Sequence, residues 1–128
     1  LLSVQNLEGA SGPLGSVVAA LGALDSRGAI TDLAVWPVDH PWVLGAQLDD
    51  LRRAAQTADE DVARVVPRWK GRRGHPVWVR NPGLIRLRSV DSVLDGTLRE
   101  HLVAAGTTLE IDARDGSVLR NLNAPEDL

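Results

Sequence analysis

The stretch Ala34–Val43, AVWPVDHPWV, ends an apolar run on a carboxylate and an imidazole held between two prolines. Asp39 is the candidate for chemistry there. In an open α/β sheet, ligands bind beyond the carboxyl ends of the strands, and Asp39 follows the most apolar strand-like run in the chain. Pro37 and Pro41 restrict the backbone on either side, which suits a ligand held at fixed geometry. One carboxylate, completed by substrate phosphates and water, is a common way to hold Mg²⁺. The plainer reading is a cap for the helix that begins near Leu44, or a turn closure. His40 could titrate near neutrality or bind metal, and packing is its simpler role.

Other groups could complete such a site. Asn121 and Asn123 stand two residues apart near the end of the sequence, on one face if the segment is extended. Asn oxygen is an acceptable ligand once an acid and phosphates balance the charge of the metal. The loop Gly9–Ser16, GASGPLGS, leads into a helix whose first N–H groups favour an anion. It has neither the Walker nor the dinucleotide-binding spacing. Residues 62–90 carry Arg64, Arg68, Lys70, Arg72, Arg73, Arg80, Arg86 and Arg88 and no acid. Such a segment can hold phosphate or pyrophosphate, arginine doing so as a bidentate fork; otherwise it is a solvated hairpin face. With Trp69 and Trp78 as its only aromatics, it makes a poor stacking platform for single-stranded nucleic acid. No Ser-His-Asp set, zinc spacing or paired catalytic carboxylates can be made out, so no catalytic side chain is nominated.

The elements that must position these residues alternate. Apolar spacing at Leu14, Val17, Val18, Leu21 and Leu24 predicts a helix over 14–24, and Leu44, Leu48, Leu51 and Ala55 form the inner stripe of a second over 44–58. Strands are expected at 1–4, 31–38 (covered on both faces), 62–66, 77–79, 107–111 and 117–122, with a turn in PRWKGRRGHP. Asn81–Arg88 is open, one helical turn being an option. Asp91 or Ser92 is placed to cap a helix that runs to Ala105 and ends at Gly106, and Ala124–Asp127 resembles another helix start. Strands alternating with helices imply a mostly parallel sheet with helices on its faces.

Composition bounds the class. A chain of 128 residues with 44% hydrophobic and 24% charged content reads as one ordinary globular domain. A net charge of −3 argues for neither nucleic acid nor membrane as a partner. No apolar run is long enough to span a bilayer, and no signal segment opens the sequence. Without cysteine there is no disulfide framework, which makes the cytoplasm the default compartment.

Four segments, GPLGSVVAAL, AVWPVDHPWV, VVPRWKGRRGHPVWV and LRNLNAPEDL, occur in the order and rough spacing of the MobA-like NTP transferases, which the chain resembles from about Val4 to Leu128. That family includes the molybdopterin cytidylyl- and guanylyltransferases of molybdenum cofactor biosynthesis. The resemblance implies a Rossmann-like three-layer α/β/α sandwich of the nucleotide-diphospho-sugar transferase type. It also implies Mg²⁺-dependent transfer of NMP from an NTP, CTP or GTP, to a phosphorylated acceptor such as molybdopterin. By motif, Asp39 matches the metal-binding acid, and Asn123, with Asn121 beside it, the second polar ligand. Gly74-His75-Pro76 matches a turn that faces the active site, and Gly12 to Ser16 a loop and helix start near the nucleotide or acceptor. Arg72 and Arg73 are placed to meet pyrophosphate or the acceptor phosphate.

Two departures stand out. Ala124 occupies a usual Thr position, and no segment of the type L-A-G-G-x-S-x-R-M-G-x-x-K, which wraps the triphosphate, is found in this sequence. The expectation is therefore residues 1–128 as the C-terminal two-thirds of a single nucleotidyltransferase-like domain, truncated at its N-terminus and inactive as this piece. The alternatives are a degenerate, non-catalytic member acting as a binding module, and a plain α/β domain in which Asp39 is a cap.

Overall fold

A computed structural model of the chain describes residues 12–37, 39–91 and 96–121. Its most deeply buried run is Val62–Pro67, with each residue at most 7% exposed. That run belongs to strand β2, Val62–Trp69, on which the sheet is organised. A tight turn at Lys70 and Gly71 returns the chain as β3, Arg72–Arg73, with Trp69 opposite Arg72. Lys70 and Gly71 have φ of 50° and 80°. Two positive values in a two-residue loop match the twist of the flanking strands, and glycine takes the second without steric cost. β4, Val77–Val79, pairs antiparallel with β2 and with β1, Leu33–Val35. β5, Thr107–Asp112, is the parallel neighbour of β2. The sheet is thus mixed, in the order β1-β4-β2-β3 with β5 also on β2.

Helices cover both faces, which gives the α/β sandwich. Against one face pack α1, Gly12–Asp25, α3, Asn81–Arg88, and α4, Leu98–Ala105, through Leu14, Val17, Leu21, Leu84, Leu87 and Leu102. Against the other packs α2, Gly45–Thr57, through Leu51 and Ala55. Strand alternation sends Val79 to the first cluster and Trp78 to the second. In β2 a register shift between Val62 and Arg64 lets Val62 and Val65, three positions apart, both meet α2. Arg64 therefore faces the other way. Burying a side chain such as Leu51, which is fully covered, contributes about 1.5–3 kcal/mol.

Several expectations are corrected. β1 covers three partly buried residues rather than 31–38, because the chain turns at Trp36. In α2 the buried stripe is Gln47, Leu51 and Ala55, while Leu44 is an exposed N-cap. Gln47 is tolerated there because its Oε1 accepts the Arg114 N–H at 3.0 Å. α4 starts at Leu98, capped by Thr97, whose hydroxyl accepts from Glu100 N–H at 3.2 Å, so the cap is not at Asp91 or Ser92. Residues 116–119 form a 3₁₀ turn, not a strand, since Asp115 accepts the Ser117 N–H and starts a tight turn. The open segment Asn81–Arg88 is a full helix with Pro82 in its first turn. The expected strand at 1–4 and helix start at 124–127 lie outside the described residues.

Candidate functional site

Three separate segments converge at one corner of the sheet. The first is the turn that follows β1. His40 N–H donates to the Pro37 carbonyl at 3.1 Å, and the Trp36 indole N–H donates to the His40 carbonyl at 2.9 Å. These bonds close a turn with Asp39 near its apex, its side chain 45% exposed and its Oδ1 3.7 Å from His40 Nε2. His40 itself is buried, at 5% exposure. The carboxylate is thus held by a braced backbone and remains open to solvent.

The second segment is Gly74-His75-Pro76, at the end of the β3 return. Gly74 N–H donates to the Pro67 carbonyl and His75 N–H to the Val118 carbonyl, both at 2.9 Å. A Cβ on Gly74 would lie 2.3 Å from the Val118 oxygen, so only glycine allows this approach. The His75 ring lies 4.8 Å from that of His40, centroid to centroid. Burial pushes the His75 imidazole below its usual 6.5, the nearby His40 adds to this, and Asp39 opposes it.

The third segment is the 3₁₀ turn and the residues after it. Val118 is fully buried beneath His75, and the Arg120 guanidinium stacks on Trp42, 3.8 Å from the ring centroid. That stacking ties Arg120 to the residues that follow the Asp39 turn, and the next residue, Asn121, is exposed. Arg114 fixes the preceding loop to α2 through a bidentate pair with Asp50, at 2.6 and 3.0 Å.

Next to this corner, on the face carrying α1 and α4, a cavity of about 1080 Å³ opens. Its walls include Pro13 and Leu14 at the start of α1, His75, Thr97 at the start of α4, and Glu110. Arg64, Arg68, Arg72, Arg73 and Arg99 line it as well. The basic segment is thereby divided by role. Arg80 caps the loop before β2, donating to the carbonyls of Asp59 and Val62 at 2.6 and 2.9 Å. Arg88 ties the end of α3 to Asp25 on α1, and Arg86 reaches His101 Nδ1 at 3.3 Å. Lys70 rests over Trp69 at the hairpin tip.

Of the residues nominated from sequence, His75, Arg72 and Arg73 line the cavity. Gly12 begins α1 beside it, and Ser16 lies one turn further along that helix. Asp39 is one imidazole away, across the His40–His75 contact. Asn123 lies outside the described residues. Arg64 was read from sequence only as one of eight basic residues able to hold phosphate, and Arg99 and Glu110 were not singled out, because they come from elements far along the chain. Among the described residues no group of three or more His, Cys, Asp and Glu side chains could hold a metal, and no helix is long and apolar enough to cross a membrane. Among the described residues the nominated oxygen donors are the half-exposed Asp39 carboxylate and the exposed Asn121 amide. Such hard oxygen donors fit Mg²⁺ bound largely through phosphates and water, and do not fit a closed protein cage.

The model of the MobA-like NTP transferase domain matches residues 2–108. Among curated proteins none matches the chain. Among solved structures, molybdopterin-guanine dinucleotide biosynthesis protein A from Archaeoglobus fulgidus superposes with a TM-score of 0.62 at 16% identity. The superposition covers 91% of this chain and 58% of that one, and at such identity the likeness is one of fold.

Proposed function

Because the chain belongs to the MobA-like NTP transferase domain family, we propose that it supplies the metal-binding and acceptor side of a Mg²⁺-dependent nucleotidyltransferase. The whole protein would transfer NMP from CTP or GTP to a phosphorylated acceptor such as molybdopterin. An acceptor phosphate oxygen bonds to the α-phosphorus, the α–β bridge breaks, and pyrophosphate leaves. The observation that carries this reading is the convergence of the Asp39 turn, the Gly74-His75-Pro76 turn and the Arg120–Asn121 segment beside an arginine-lined cavity.

Asp39 would hold the cation, with Asn121 and Asn123 as further oxygen ligands. When bound, Mg²⁺ neutralises phosphate charge that otherwise repels the incoming oxygen. The residues of the chain itself do the rest. The Trp36 and His40 hydrogen bonds hold the turn, so the carboxylate need not be ordered when substrate arrives. Burial disfavours the charged form of the His75 imidazole, which limits positive charge beside Asp39. The arginines of the cavity favour phosphate oxygens entering from the α1 side.

The test is calorimetric titration of CTP and GTP into the protein with and without Mg²⁺, for wild type and Asp39→Asn. Mg²⁺-dependent binding that weakens at least tenfold in the variant is expected. A melting temperature that shifts while nucleotide affinity does not would make Asp39 a structural cap and end the proposal.

A further inference from the structure

Among the described residues Arg64 has no ion-pair partner. It lies in mid-strand, 6% exposed, between Ala63 and Val65, which are wholly buried. Its Nε donates to Thr108 Oγ1 at 2.8 Å, but Nη2 is buried with no hydrogen-bond partner among the described residues. A buried guanidinium with an idle donor is costly, and proteins normally pair or hydrogen-bond such a charge. Among the described residues, the one carboxylate lining the cavity is Glu110, which already stands within 3.4 Å of Arg73 Nε and 3.8 Å of Arg68 Nε. With Arg72 and Arg99, five guanidiniums among the described residues face that acid. Burial draws the Arg64 guanidinium below its ordinary range, and the charges of Arg73 and Arg99 act in the same direction. An anion in the cavity would both pair with the idle donor and offset the neighbouring charges, and Glu110 is already engaged by Arg73 and Arg68.

We infer that Arg64, with Arg73 and Arg99, forms a subsite for a phosphate group at the floor of this cavity. The surplus of positive charge calls for a group carrying two or more negative charges, so a lone carboxylate would leave most of it unbalanced. The planar fork of arginine matches phosphate oxygens in pairs. Among the described residues no Trp, Tyr or Phe lines the cavity, so it makes a poor stacking platform for the bases of single-stranded nucleic acid. His75 borders both this cavity and the Asp39 turn, which places the subsite beside the proposed reaction centre. That the phosphate belongs to a nucleotide or to its acceptor rests on the function proposed above; the subsite itself does not.

The experiment is isothermal titration of the full chain at low ionic strength without Mg²⁺, with inorganic pyrophosphate and glycerol 3-phosphate as probes. Arg64→Leu and Arg99→Ala should each weaken binding at least tenfold. Arg53→Ala, which removes an exposed charge from α2 on the opposite face, should change it less than twofold. Arg99 is exposed, so its variant keeps the test open if Arg64→Leu fails to fold. Tighter pyrophosphate binding points to the polyphosphate of a nucleotide, and tighter glycerol 3-phosphate binding to the monoester of an acceptor; both support the subsite. Equal affinity in wild type, Arg64→Leu and Arg99→Ala overturns it, as does an equal loss in Arg53→Ala. Because Mg²⁺ is absent, loss of metal-dependent nucleotide binding and loss of this subsite are read separately.

Discussion

The imidazoles of His40 and His75 meet at 4.8 Å with their planes inclined by 56°, joining the turn after β1 to the turn before β4. Both Nδ1 atoms are buried without a hydrogen-bond partner among the described residues. The carboxylate beside this pair among the described residues is Asp39, 3.7 Å from His40 Nε2.

Stability should therefore fall on the acid side of neutrality. The His75 pKa is lowered on folding, so the unfolded chain binds the proton more readily. Its contribution is fully present above the unfolded value of about 6.5 and is lost as pH falls toward the lowered one. Urea unfolding between pH 8 and 5 should show this slope, and His75→Gln should flatten it. Identical slopes in the two proteins would assign the effect to other groups.

A second acid limb lies lower. Hydrogen bonds from Arg88 and Arg114 hold the carboxyls of Asp25 and Asp50 below their usual 3.8. Their contribution is present above that value and disappears as pH falls through the lowered ones. Arg88→Ala and Arg114→Ala should thus be less stable than wild type at pH 7, and the gap should narrow below pH 3.8. A gap that is constant with pH would make both arginines matter through packing alone.

Two glycines should respond in opposite directions to the same methyl group. Gly74→Ala drives a Cβ to 2.3 Å from a backbone oxygen and should cost about 2–4 kcal/mol, in the range of severe steric substitutions. Gly22, inside α1, has open space around its Cβ position, so Gly22→Ala should gain about 0.5–1 kcal/mol. Chemical denaturation of the pair checks both. A neutral Gly74→Ala would mean that the two turns move apart freely.

What the sequence showed clearly was local. Apolar spacing found α1 and α2 to within two residues, since Leu14, Val17, Leu21, Leu51 and Ala55 are buried. β1 was drawn too long because Trp36 and Pro37 are apolar, whereas the Trp36 indole bonds to the His40 carbonyl and ends the strand. Strand direction was hidden for a different reason. Alternation of element types suggested crossovers, but the Lys70-Gly71 turn makes β2–β3–β4 a locally antiparallel unit. Asp39 could be named from pattern and His75 from the family motif, whereas Arg64 stood out only as one of eight basic residues in its segment. Its meaning depends on Thr108, Glu110 and Arg99, which only the parallel pairing and the docking of α4 bring near it.

The position of β2 as neighbour to three strands has a kinetic consequence. Its pairings with β3 and β4 close short loops, whereas Val62 must find Thr107, 45 positions away, to pair with β5. Loop closure entropy favours the short loops first. The hairpin should accordingly form early and the β5 pairing late, with the arginine cavity assembled last. Substitutions at Trp78, which lies opposite Val65 of β2, should then slow folding, while Leu109→Ala should mainly speed unfolding in stopped-flow measurements. The reverse pattern would place β5 in the folding nucleus. On this order, the arginine-lined pocket never exists before the apolar layers that hold its walls apart.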